Sequence, residues 1–104
     1  SFSKVILMQT QELMENTVKN AVRTFNNAVA VAKLEADNAE VANQRMLKIN
    51  ELYSLGQASS LEQRQAQLAW LAAENGKSSA EFRAVNAQIA LYQLMGELAQ
   101  TLEN

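Results

Sequence analysis

From Met14 onward, apolar side chains recur in alternating steps of four and three residues: Met14, Val18, Ala21, Phe25, Ala28, Ala32, Glu35, Ala39, Ala42, Met46, Ile49 and Tyr53. Eleven of these twelve positions are apolar or aromatic, so the row runs through more than five heptads. A row of this kind returns to one side of an α-helix and needs a partner helix along its length. A strand would need period two, which the chain does not display. The 104 residues include no Pro, which would remove a helical hydrogen bond and clash with the preceding turn. They are rich in Ala, Leu, Glu and Gln, which give up little side-chain freedom on a helix.

The row is interrupted at Tyr53-Ser54-Leu55-Gly56-Gln57-Ala58-Ser59-Ser60. Gly56 can adopt the left-handed conformation that closes a helix, and Arg45 and Lys48 place positive charge toward that end. Ser59 with Glu62 three residues on forms a capping-box pattern that opens a new helix. The reading is a helix over about 4–54, a turn over about 55–59 and a helix over about 60–102. At 1.5 Å per residue the helices are about 75 Å and about 65 Å long. Two such helices on a short loop pack antiparallel, so the fold expected is all-α, a long two-helix coiled-coil hairpin forming one unit.

In the second helix the heptad rhythm is carried by Leu61, Leu68, Leu71, Phe82, Val85, Ile89, Tyr92 and Ala99, the row expected to face the first helix. Its weak stretch is Glu74-Asn75-Gly76-Lys77-Ser78-Ser79, where Gly76 could end one helix and Ser78 with Glu81 begin another. The seven-residue step Leu68, Asn75, Phe82, Ile89 passes through this stretch without a phase shift, which favours an unbroken helix over three shorter ones. Folding about residue 57 sets residue x near 114 minus x. Ala32 is then expected to face Phe82, Phe25 to face Ile89, and Ala42 to lie near Leu71 or Ala72. Glu35, the one polar member of the first row, falls opposite Ser78 and Ser79, polar layer against polar layer.

The apolar surface exceeds what two helices can bury. Val22 and Val29 flank the first row on one side, with Val31, Leu34, Val41, Leu52 and Leu55 on the other. Trp70, Leu91, Leu94, Met95 and Leu98 widen the apolar face of the second helix. Either two hairpins dimerise into a four-helix bundle, or each hairpin is one stave of a larger ring of helices.

The composition removes whole classes of chemistry. With no His and no Cys there is no imidazole or thiolate catalysis, no His/Cys zinc site and no disulfide. Bundle di-metal centres pair glutamates with Glu-x-x-His motifs, and here Glu35 is the one interior acid. The reading is therefore no enzyme, no catalytic residue, no cofactor and no metal, with Trp70 and the methionines as packing groups. Eleven acids and nine bases are spread without a like-charge block, unlike a nucleic-acid binder. The longest apolar runs, Val5 to Met8 and Ala28 to Ala32, fall far short of the ~20 residues a membrane helix needs.

The segment Leu52-Tyr53-Ser54-Leu55-Gly56-Gln57-Ala58-Ser59-Ser60-Leu61-Glu62, followed by Ala66-Gln67, Ala84 to Leu91 and Leu94-Met95-Gly96-Glu97-Leu98, resembles the helical hairpin of the TolC-like outer membrane efflux proteins. Thr24-Phe25-Asn26-Asn27 is similar to that family's first long helix, so the resemblance runs from about residue 9 to residue 98. It implies a trimeric channel of Gram-negative bacteria with a β-barrel in the outer membrane and a periplasmic helical barrel, to which each protomer gives two hairpins. This chain would be a piece of one, in the periplasm and outside the bilayer, with a weak lean toward the second hairpin because no obvious onward strand follows Asn104. By the same resemblance the turn at Tyr53, Leu55, Gly56 and Gln57 is the tip that docks a periplasmic adaptor protein. Glu62 and Gln65 would stand at the pore entrance; Ala58 occupies a position where members often carry a basic residue. The alternative is a structural or designed coiled-coil hairpin acting as a dimerisation or interaction module.

Overall fold

The computed structural model describes residues 1–103. Helix α1 spans Phe2–Ser54 and helix α2 spans Ser60–Glu103, and the two lie side by side as an antiparallel hairpin. The first helix starts two residues earlier than expected because Ser1 caps it, its hydroxyl accepting from the Lys4 N–H at 3.3 Å. The second passes through Gly76 without a break, so the three-helix alternative does not occur.

The turn follows from local chemistry. Gly56 takes φ +76°, while the N–H of Gln57 donates to the Leu52 carbonyl at 2.8 Å and that of Gly56 to Tyr53 at 3.0 Å. These two bonds make a Schellman motif, which satisfies carbonyls the helix end would otherwise leave open. The expected help from Arg45 and Lys48 is absent, since the last turn of α1 holds no basic residue and the dipole term fades within one turn. Ser59 opens α2, its hydroxyl accepting from the Glu62 N–H at 3.1 Å. It also donates to Glu62 Oε1 at 3.3 Å, so the return bond of the box reaches the Ser59 side chain, where the standard box reaches the backbone N–H.

The inner row of α1 is the one read from the sequence: Met14 through Ile49 are all wholly or partly buried, with Ala39 2% exposed. Tyr53, the last member, is 43% exposed and sits at the tip. The row of α2 is a correction. Leu61, Leu68, Leu71, Phe82, Val85, Ile89 and Tyr92 all face away from α1, Phe82 being 67% exposed. The residues turned inward are Gln63, Ala66, Trp70, Ala73, Lys77, Ala80, Ala84, Ala87, Leu91, Leu94 and Leu98, also spaced by three and four. The two rows of α2 are two residues out of phase, a rotation of about 200° at 3.6 residues per turn, so one faces α1 and the other faces outward.

This exchange also corrects the pairing. The inner rows match when facing residues have numbers adding to 112, against the 114 expected, which sets Phe25 level with Ala87, Ala42 with Trp70, Met46 with Ala66 and Ala21 with Leu91. Large side chains meet alanines in these four layers, and alanine meets alanine where Ala28 faces Ala84, Ala32 faces Ala80 and Ala39 faces Ala73; alanine layers let helix axes approach toward the lower end of the usual 8–10 Å. Phe82 and Ile89 are therefore not the partners of Ala32 and Phe25. Glu35 lies over Gly76, level with Lys77, and not against Ser78 and Ser79.

The result is a rod of 82 × 20 × 14 Å with a radius of gyration of 23.2 Å, where a compact chain of this length would have about 13 Å. It exposes 8048 Å², whereas a compact monomer of 11.5 kDa exposes about 5,800 Å² by size scaling. Among the described residues, the buried apolar set is limited to Ala39, Ala66, Ala80 and Leu91. At the open end, α1 runs past the last turn of α2, and Phe2, Val5, Ile6, Leu7 and Met8 there are exposed.

Candidate docking surface at the hairpin tip

Tyr53, Leu55, Gly56 and Gln57 come together at one end of the rod, on the Schellman turn. Leu55 is 63% exposed and has no helix beyond it to pack against. The backbone here is held by the bonds from Gln57 and Gly56, and by the Ser54 hydroxyl donating to the Glu51 carbonyl at 2.6 Å. An exposed leucine and tyrosine on a well-bonded turn make a small rigid apolar knob. What it presents to solvent is chiefly shape and apolar area.

Immediately behind the tip the helices are joined by a hydrogen bond from Gln63 Nε2 to Asn50 Oδ1, 3.1 Å and partly buried. This bond fixes the register where the hairpin is shortest and the turn leaves least freedom. Glu62 and Gln65 lie on the flank of α2 beyond it. With Arg45 and Ile49 of α1 and Ala66 and Ala69 of α2, they line an open cleft of about 270 Å³. Glu62 is thus occupied twice, by its N–H in the cap and by its carboxylate on the Ser59 hydroxyl, while its side chain edges the cleft.

Arg45 is the member of this cleft that the sequence reading missed, having been read as a charge for the helix end. The signal was available in its spacing: Arg45 lies four residues before Ile49, on the flank of the row that also carries Leu52. On the opposite flank a second cleft of about 410 Å³ is lined by Met46, Arg64, Gln67, Leu68, Trp70 and Leu71. Trp70 straddles the two environments, partly buried against α1 and partly open to that cleft.

Among the described residues no cluster of three or more His, Cys, Asp or Glu side chains is placed to hold a metal ion. No helix among the described residues is long and apolar enough to cross a membrane. No protein-family model, curated protein or solved structure matches this chain.

Proposed function

We propose that this hairpin is an assembly element, a stave that packs between further helices, and that the assembly is the periplasmic helical barrel of an outer membrane efflux channel of the TolC-like kind. The observation that carries the reading is the second apolar row of α2, which faces away from its only intramolecular partner. A helix with apolar rows on opposite sides is stable in water only with neighbours on both. The excess exposed surface of the rod supports the same conclusion, as does the small number of buried side chains. The TolC-like form rests on the sequence resemblance around Tyr53 to Glu62 and on the exposed knob at Tyr53 and Leu55.

In this reading the protein performs no reaction. It supplies a wall to a conduit, its tip engages the helical hairpin of a periplasmic adaptor, and Glu62, Gln65 and Arg45 flank the entrance. The test places a photo-crosslinking residue at Leu55 in the chain directed to the periplasm of a Gram-negative cell, with Asp37 on the solvated back as control. Capture of an adaptor from Leu55 and not from Asp37 is the expected result. Equal capture from both sites, or none from either, contradicts adaptor docking.

A second reading, a dimerising coiled-coil module, is favoured by one specific observation: of the three polar members of the outer row of α2, Asn75 and Ser78 lie at its centre and Arg64 near one end.

A further inference from the structure

Apart from Arg64, which falls level with Ile89, the outer row of α2 has the same polar and apolar pattern in both directions, and this near-symmetry bears on what can cover it. Its members follow steps of three and four from Leu61 to Tyr92, the spacing of a coiled-coil seam. We infer that the outer row of α2 is a self-complementary docking surface for the same row of a second copy, antiparallel, about a twofold axis between Asn75 and Ser78. The inference rests on the dimer reading above and specifies its surface and register.

The layers follow from the numbering. About that axis Asn75 meets the partner's Ser78, Leu71 meets the partner's Phe82, Leu68 the partner's Val85 and Leu61 the partner's Tyr92. Polar meets polar and apolar meets apolar in these four layers, with a large ring against an aliphatic chain in two of them; the exception in the row is Arg64 against the partner's Ile89. Sliding one copy by a heptad destroys the match, because Asn75 then faces Val85 and Ser78 faces Phe82. A parallel pair is also in register, but it stacks Arg64 on Arg64, whereas the antiparallel pair sets each Arg64 beside an Ile89 near the ends. Antiparallel packing also sets opposed helix dipoles side by side.

The surface is large enough. The seven apolar members are each about half exposed or more; together they leave on the order of 700 Å² per copy uncovered, close to the roughly 800 Å² per partner of a standard interface. An isologous contact of this sort closes on itself and stops at two copies. Glu74 and Glu81 of both copies gather beside the axis, with Lys33 of α1 bordering the same groove as Glu81.

The chain has no cysteine, which makes the register directly readable. Leu68→Cys and Val85→Cys are prepared separately as full-length chains, each checked for helicity, then mixed in equal amounts in a glutathione redox buffer. In the antiparallel dimer, position 68 lies beside the partner's position 85, while like positions are 17 residues apart, about 25 Å along the helix. The expected product is the mixed disulfide, with neither variant forming a disulfide dimer alone. Homodisulfides from each variant alone would overturn the antiparallel register while leaving a dimer in place. Absence of any disulfide from helical chains would overturn the docking surface itself and the dimer reading with it, leaving the barrel reading to its own test.

Discussion

The carboxylate of Glu35 in α1 lies across the backbone of Gly76 in α2, so close that a Cβ added at Gly76 would stand 2.6 Å from its Oε2. The glycine in the middle of α2 is therefore a place where one helix yields space to the one polar member of the other's inner row. Its absent side chain has a packing role where the sequence suggested a break. Replacing Gly76 by Ala removes roughly 1 kcal/mol of helix-propensity cost and pushes the end of a flexible glutamate toward solvent. The expected outcome is a gain of about half that amount in urea unfolding at low protein concentration, rising toward the full value when Glu35→Ala is added. A loss of stability in the double variant would mean that Gly76 is needed for something other than room for Glu35.

Five of the eleven inner residues of α2 are alanines, Ala66, Ala73, Ala80, Ala84 and Ala87, and enlarging one of them separates the helices. Ala80→Leu, at a site 3% exposed, is expected to cost about 1–3 kcal/mol through overpacking. Phe82→Ala, two residues away and pointing outward, is expected to change the stability of the monomer by less than about 0.5 kcal/mol. Chemical denaturation of both variants at concentrations too low for association separates the inner row from the outer. A larger loss at Phe82 than at Ala80 would restore the pairing first expected from the sequence.

Gly56 and Gly96 make a matched pair for the turn. Gly56 has φ +76° and open space around it, so an alanine there meets backbone strain with no steric clash. Gly56→Ala should cost about 1–2 kcal/mol, whereas Gly96→Ala, within α2 and also with open space, should add up to about 1 kcal/mol. Thermal unfolding followed by circular dichroism reads both signs.

The start of α2 depends on one hydroxyl. Ser59→Ala removes the acceptor for the Glu62 N–H and should cost about 1 kcal/mol, while Glu62→Gln keeps that bond and should cost less. If Glu62→Gln frays that turn more than Ser59→Ala, as read by amide exchange at residues 60–63, the carboxylate rather than the hydroxyl carries the cap.

The first helix was legible from the sequence nearly residue by residue, because its inner row combines large and small apolar groups in one phase and its other faces are more polar. The turn was legible because its chemistry is local: Gly56 and the Ser59 to Glu62 spacing act within a few residues of one another. The facing row of α2 was not legible, and the reason is physical. That helix carries two rows with the same three-and-four spacing, and periodicity alone cannot tell which one turns toward α1. The larger row, from Leu61 to Tyr92, attracted the assignment, but the antiparallel partner already supplied Phe25 and Met46, and the row that carries Ala87 and Ala66 fits against them. Arg45 escaped notice at the tip cleft for a related reason, since its place depends on the register between helices.

Both readings of function require that the outer row of α2 seek a partner outside its own chain. Sedimentation equilibrium of the full chain, compared with a variant carrying Leu68→Gln and Phe82→Gln, tests this most directly. The expected result is a concentration-dependent mass above 11.5 kDa for the unaltered chain and a helical monomer for the variant. A helical monomer for both, at every concentration up to hundreds of micromolar, would contradict the account.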